Sequence, residues 1–161
     1  NGFLPTFLQV EKGFSVALAS TGFAVLFGVG MTVKPISGTL GDRFGRTTVA
    51  VSSLLLGLLG LIGLLFAEQT ALIFGGIVVF SAGLMSFPPV MQAYLMDLFP
   101  DESMGGDLGG MRTIYIGFGS LGPTYIGFIG GAESYTVAFA GLVACLLAGA
   151  GIVAGYELRY R

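Results

Sequence analysis

Hydrophobic positions along the chain are gathered into long stretches that contain no charged residue. Five uncharged stretches of 20 to 28 residues lie between Lys12 and Lys34, Arg46 and Glu68, Glu68 and Asp97, Arg112 and Glu133, and Glu133 and Glu157. A helix needs roughly 20 apolar residues to cross a bilayer core of about 30 Å. Each stretch therefore predicts one membrane-spanning helix.

These stretches and the polar residues between them predict six helical segments. The first is partial, at about 1–10, and the complete ones are about 14–37, 47–67, 70–99, 109–131 and 135–156. The run from Ser53 to Leu61 does not alternate apolar and polar residues, as strands of a membrane barrel do. We therefore predict an all-α, polytopic transmembrane helix bundle, with residues 1–161 forming a single domain.

The composition supports a membrane protein and excludes several functions. Mean hydropathy is +0.89, and 10% of residues are charged, against about 25% in soluble domains. With no histidine and one cysteine, the chain offers no His/Cys metal site. We predict no cofactor, no metal, no catalytic residue and no enzymatic activity. The net charge of −2 predicts no nucleic-acid partner, and the lipid bilayer is the first partner expected.

Positive charges orient the predicted segments. If the five complete segments are successive spans, one side carries Lys34, Arg43, Arg46, Arg112, Arg159 and Arg161, and the other side carries Lys12. Positive residues concentrate on the cytoplasmic side of membrane proteins. We therefore expect a cytoplasmic C-terminus. The chain begins with Asn1 and has ten uncharged residues before Glu11, so we also expect a fragment that starts inside a helix.

The segment at 70–99 is the least lipid-like of the six. Pro88 and Pro89 lie in it, and irregular backbone at membrane depth is tolerated mainly in protein interiors or beside water-filled cavities. Residues predicted to line a substrate path are Ser81, Met85, Pro88, Gln92 and Tyr94 of this segment, with Arg112 and Tyr115 of the next. The alternatives are a helix buried between neighbours, and an Arg112 that pairs with Asp107.

A motif lies between the second and third segments, where the chain reads Gly38-Thr39-Leu40-Gly41-Asp42-Arg43-Phe44-Gly45-Arg46. This stretch resembles the GxxxDRxGR loop signature of the major facilitator superfamily of secondary transporters. The family often has a further Arg or Lys where this chain has Thr47. The resemblance implies a cytoplasmic loop between the second and third helices of a six-helix half, whose first helix is truncated here.

The resemblance also implies a mechanism. Gly38, Asp42, Arg43, Gly45 and Arg46, with Asp97 as a partner, would form a charged latch that holds and releases the cytoplasmic face. The partners implied are the missing other half, a small-molecule substrate and a coupling ion such as H+. The short tail and the absence of arginine from segment 70–99 favour the C-terminal half, and we expect the plasma membrane as its location.

A second resemblance lies in the segment at 109–131. The stretch from Gly117 to Pro123 is similar to the glycine-proline signature of the fifth helix of a half, best known in antiporters, although Phe118 replaces one of its glycines. We expect helix packing by Gly119, Gly122, Pro123 and Gly127. The same letters match a dinucleotide-binding fingerprint, but that motif needs a preceding strand, which an uncharged membrane segment does not supply.

Two other classes of function stay open at this point. One is a small membrane protein that works as a homodimer, with two copies in place of two halves. The other is a membrane scaffold or remnant without transport activity.

Overall fold

The fold is a bundle of α-helices. The computed structural model describes residues 2–100 and 102–160. The helices of this part are α1 (Leu4–Val10), α2 (Val16–Phe44), α3 (Arg46–Phe66), α4 (Thr70–Leu98), α5 (Met104–Gly119), α6 (Leu121–Ala132) and α7 (Tyr135–Tyr160). Of these, α2, α3, α4 and α7 are long and apolar enough to cross a membrane. The prediction of an all-α transmembrane bundle is confirmed.

The predicted loop between the second and third segments is almost entirely helical. Instead of ending at 37, α2 continues to Phe44, and Gly45 alone separates it from α3. Gly45 has a φ of +93°, a backbone conformation that side chains with a Cβ rarely adopt. Its N–H donates a hydrogen bond of 3.0 Å to the Gly41 carbonyl. One glycine therefore reverses the chain direction between two long helices.

The segment predicted as one helix at 109–131 is two helices. It begins earlier, at Met104, and it is interrupted at Ser120, between α5 and α6. Pro123 has no N–H, and its ring opposes the carbonyl four residues before it, so the helix is broken at that point. At the interruption, the Ser120 hydroxyl donates to the Gly117 carbonyl at 2.6 Å. The last helix runs past the predicted end at 156, while Asp101 and Arg161 lie outside the described residues.

The most extensive helix pair is α3 with α4, and glycines let their backbones touch. A Cβ placed on Gly76 would lie 3.0 Å from the Leu64 backbone nitrogen. A Cβ on Gly60 would meet main-chain atoms of Phe80, and one on Gly83 would meet main-chain atoms of Gly57. Membrane helices associate through such close packing of small residues. We call this contact the glycine seam, formed by Gly57, Gly60, Gly76 and Gly83.

The other helices are arranged around this pair. α2 packs mainly on α4, α7 packs on α3 and α6, and α1 packs on α2. The short α1 fills the interior, since Leu4, Phe7 and Leu8 are fully buried. The Phe7 ring stacks on Phe139 of α7 at 4.6 Å between centroids. The partial first segment therefore completes the hydrophobic core.

Two adjacent charges on the α1–α2 connection bind the ends of two other helices. The Lys12 ammonium donates to the Leu65 and Ala67 carbonyls at the end of α3, at 2.8 Å each. The Glu11 carboxylate accepts from the Tyr135 backbone N–H at the start of α7, at 2.7 Å. Helix ends leave such groups without intrahelical partners and carry partial charges of opposite sign. We call Glu11 and Lys12 the helix-end clamp.

α2 is held to α4 by one buried hydrogen bond, from the Ser81 hydroxyl to the Leu26 carbonyl at 2.5 Å. Interhelical bonds of this kind contribute about 0.6 kcal/mol on average in a membrane protein. We expect Ser81→Ala to lower the free energy of unfolding by about that amount, measured by titration of lipid-detergent micelles with sodium dodecyl sulfate. The control is Ser86→Ala, whose hydroxyl bonds the Ala82 carbonyl of its own helix. Equal losses in the two variants would contradict an interhelical role for Ser81.

Candidate functional site

A cluster of three charged side chains joins the ends of α2, α3 and α4. Arg46, the first residue of α3, donates to the Asp97 carboxylate of α4 at 2.8 Å and lies 3.3 Å from the Asp42 carboxylate of α2. The Arg46 side chain is 24% exposed, whereas Asp42 and Asp97 are 67% and 58% exposed. We call these three residues the charge cluster. A single guanidinium thus ties three helix ends together at one end of the bundle.

The remaining motif residues lie around this cluster without joining it. Arg43 extends over the neighbouring Phe44 ring, 5.4 Å from its centroid, and among the described side chains it makes no ion pair with a carboxylate. The Cβ position of Gly38 is open, whereas the Cβ position of Gly41 lies 3.5 Å from Val90 of α4. The close approach of α2 to α4 therefore occurs at Gly41, one turn after Gly38, and Gly45 supplies the turn.

The Asp42 carboxylate binds a side chain and, in the described part of the chain, caps no helix N-terminus through backbone N–H groups. Asp42 is part of α2, because that helix continues through the motif. Its carboxylate accepts from Arg46, four residues on. The motif therefore forms the end of α2 and the start of α3. Its Asp42 carboxylate accepts a hydrogen bond from Arg46, the residue after Gly45.

A cavity of about 560 Å³ lies between α4 and α5. α5 has no buried residue, and among the described helices it contacts α4 and α6. This loose packing of α5 leaves the space beside α4 open. The cavity wall is largely apolar, with Phe87, Met91, Leu95, Leu108 and Met111. The lining side chains that carry hydrogen-bonding groups are Gln92, Arg112 and Tyr115. This combination is typical of small-molecule sites, where a few polar groups orient a ligand in an apolar pocket.

The predicted substrate-path residues separate into two groups. Pro88, Gln92, Arg112 and Tyr115 line the cavity. Ser81 and Met85 do not, since both are buried and face α2, where the Met85 side chain lies against Gly30. Tyr94 is hydrogen-bonded to Tyr156 of α7. The surroundings of α4 change at its two prolines: Ser81 and Met85, before them, pack in the bundle, whereas Gln92, after them, lines the cavity.

The residues expected to pack helices in the fifth segment are mostly open. A Cβ on Gly119 or Gly122 would meet nothing within 4 Å, and Gly127 approaches only the Phe3 ring. Pro123 is exposed and follows the break at Ser120. Close packing is found in the glycine seam instead. Its residues are spaced by three and seven positions along α3 and α4, a small-residue pattern that the sequence displays and that our prediction did not use.

A sequence model of the Major Facilitator Superfamily matches residues 1–159. The chain belongs to the Major Facilitator Superfamily. No curated protein and no solved structure matches it. Members of this superfamily are transporters, so the chain belongs to an integral, multi-pass membrane transporter of the major facilitator type.

Membership in the superfamily gives the two sites on this chain their context. Asp42 and Arg46 of the charge cluster belong to the motif through which the sequence resembles the Major Facilitator Superfamily. The cavity lies beside α4, the helix that contains Pro88 and Pro89. The helix-end clamp was not predicted as a site. The adjacent opposite charges of Glu11 and Lys12 between two apolar stretches were the available signal, because such a pair suits two helix ends of opposite polarity.

Proposed function

We propose that this chain is one six-helix half of a secondary active transporter that moves a small solute across the plasma membrane by alternating access. The observation that carries the proposal is the charge cluster beside the α4–α5 cavity. Asp97 and Gln92 lie on the same helix, so movement of the end of α4 changes both the cluster and the cavity wall. A conformational latch requires this kind of connection.

In this proposal, the substrate binds near the interface between two halves, as in transporters built from repeated units. The other half covers α5, whose large apolar side chains Ile114, Ile116 and Phe118 are exposed. The chain is the C-terminal half, with its C-terminus in the cytoplasm, and the coupling ion is H+. The charge cluster closes the cytoplasmic end while Arg46 holds Asp97, and it opens when the end of α4 beyond Pro89 moves away from Arg46.

The latch predicts a loss of transport without a loss of folding. In the intact protein, we expect Asp42→Asn combined with Arg46→Ala to lower the initial rate of solute uptake into proteoliposomes at least tenfold. Ion pairs with exposed carboxylates contribute about 0–1 kcal/mol, so the midpoint of thermal unfolding should barely change. The solute is chosen by screening labelled organic acids, amines, sugars and amino acids for uptake driven by a proton gradient.

The comparison variant is Arg43→Gln, which removes the same charge from the same motif. Because Arg43 contacts the Phe44 ring and not the cluster, we expect a clearly smaller loss than for Arg46. Uptake that survives the double substitution unchanged would remove the latch from the proposal. Absence of gradient-driven uptake of every solute class in the wild-type protein would reject secondary transport itself.

A further inference from the structure

Among the described residues that line the α4–α5 cavity, one carries a formal charge. Of the residues that line it, Arg112 is ionised, Gln92 and Tyr115 are polar and neutral, and the rest are apolar or glycine. An arginine side chain stays protonated in proteins. The described part of the cavity wall is therefore cationic, with no carboxylate in it to balance this charge.

Arg112 also has no carboxylate partner elsewhere among the side chains that the structure describes. Asp107, the partner considered from the sequence, accepts the Ser103 hydroxyl at 2.5 Å. Five residues along a helix turn a side chain by about 500°, which leaves Asp107 and Arg112 about 140° apart on α5. Asp97 is bound to Arg46. Arg112 and Asp107 therefore do not pair, because they lie on different faces of α5.

We infer that the cavity binds an organic anion, whose oxyanion head is held by Arg112 and whose apolar body lies against Met91, Leu95 and Leu108. This inference rests on the proposed transport function and names its substrate class. The planar guanidinium has five N–H donors arranged to bind oxyanions in pairs. Gln92 and Tyr115 supply further donors beside it. A volume of about 560 Å³ lies within the usual range for small-molecule sites.

Glycines on the α5 wall keep this space open. Gly105 and Gly109 line the cavity, and a Cβ on either would meet nothing within 4 Å. A leucine at 109, one turn before Arg112, places its Cβ in open space, and we expect the rest of its side chain to fill cavity volume. Such a substitution should hinder ligand binding without disturbing the fold. It therefore gives a second test of the site in which the charge of the cavity stays unchanged.

The test uses two probes of similar size that are permanently charged, benzenesulfonate and benzyltrimethylammonium. Their binding to the full transporter in detergent is measured by equilibrium dialysis, and their uptake is measured separately in proteoliposomes. We expect the wild-type protein to bind benzenesulfonate at least tenfold more tightly than the cation. Hydrogen bonds to charged groups account for about a 10- to 100-fold change in Kd, so Arg112→Gln should weaken benzenesulfonate binding by that factor.

Three further variants make the result specific. Arg112→Lys keeps the charge and should retain part of the affinity. Gly109→Leu should weaken benzenesulfonate binding although no charge changes. Lys34→Gln removes a cation from α2, outside the cavity, and should leave binding unchanged. Size-exclusion profiles check that all variants fold, as expected for an exposed Arg112.

The outcomes separate the binding site from the transport activity. Benzenesulfonate binding that depends on Arg112, without uptake of either probe, supports the anion site and counts against transport. Uptake of the cation in preference to the anion overturns the anion site while supporting transport. Benzenesulfonate binding that is absent, or equal in the wild type and Arg112→Gln, also overturns the inference.

Discussion

Replacing Gly83 with alanine is expected to destabilise the fold strongly and to lower its melting temperature. The new Cβ would meet the nitrogen and Cα of Gly57 and the carbonyl oxygen of Ser53, all of them main-chain atoms that no change of rotamer can move. Overpacking a core costs about 1–3 kcal/mol and occasionally more. With backbone on both sides of the contact, we expect at least about 3 kcal/mol, a large part of a typical total stability of about 5–15 kcal/mol.

The matched control on the same helix is Gly75→Ala, whose Cβ meets nothing within 4 Å. Alanine is a better helix former than glycine by up to about 1 kcal/mol, so this variant should be neutral or slightly stabilised. Gly60→Ala and Gly63→Ala form the same pair on α3. The measurement is the temperature at which half of the detergent-solubilised protein leaves the monodisperse size-exclusion peak. If Gly83→Ala and Gly75→Ala melt together, the backbone contact of the glycine seam does not exist.

Removal of the helix-end clamp is expected to have the second largest effect. Lys12→Met leaves the Leu65 and Ala67 carbonyls without their donor, and Glu11→Gln replaces a carboxylate at the start of α7 with a neutral amide. Hydrogen bonds to charged groups contribute about 1.5–3 kcal/mol each, and both side chains are half-buried. We expect each single variant to lose about 2 kcal/mol of unfolding free energy, measured by denaturant titration.

Because the two side chains bind different helices, their effects should add. Independent sites normally combine within about 0.5 kcal/mol, so the double variant should lose about 4 kcal/mol. Lys34→Met and Glu68→Gln are the charge-matched controls, since both residues are exposed, and they should stay within about 0.5 kcal/mol of the wild type. A double variant no less stable than either single variant would show that Glu11 and Lys12 act as one unit, contrary to the separate bonds described.

The membrane-spanning helices follow closely from the sequence because charge is excluded from lipid, so the distance between charges measures each span. The ends of helices follow less closely. The stretch around Asp42 carries enough polar residues to resemble a loop, yet nothing in it prevents a helix until Gly45. The break at Ser120 depends on Pro123, three residues away, whose effect on the preceding turn competes with the apolar character of the whole segment.

The candidate site was only partly predictable for a similar reason. The family resemblance implied Asp97 as a partner of the motif, and the structure pairs it with Arg46. The sequence does not distinguish Arg43 from Arg46, since only the turn at Gly45 sends one toward the carboxylates and the other toward Phe44. Helical periodicity relates Ser81 to Gln92, but the two prolines between them change which neighbour each residue faces.

The position of α3 between two sets of charges has a mechanical consequence. This helix has 21 residues and is about 32 Å long; Arg46 binds two carboxylates at its first residue, and Lys12 binds its final carbonyls. Between Gly57 and Leu64, the glycine seam leaves no room for α3 to rotate against α4 without separating main-chain atoms. α3 is therefore held at both ends and packed against α4 between them, so we expect a displacement at one end to be transmitted to the other. In the proposed latch, a substitution at Lys12 should accordingly change the rate at which the charge cluster opens at the other end of α3, measured as the initial rate of solute uptake.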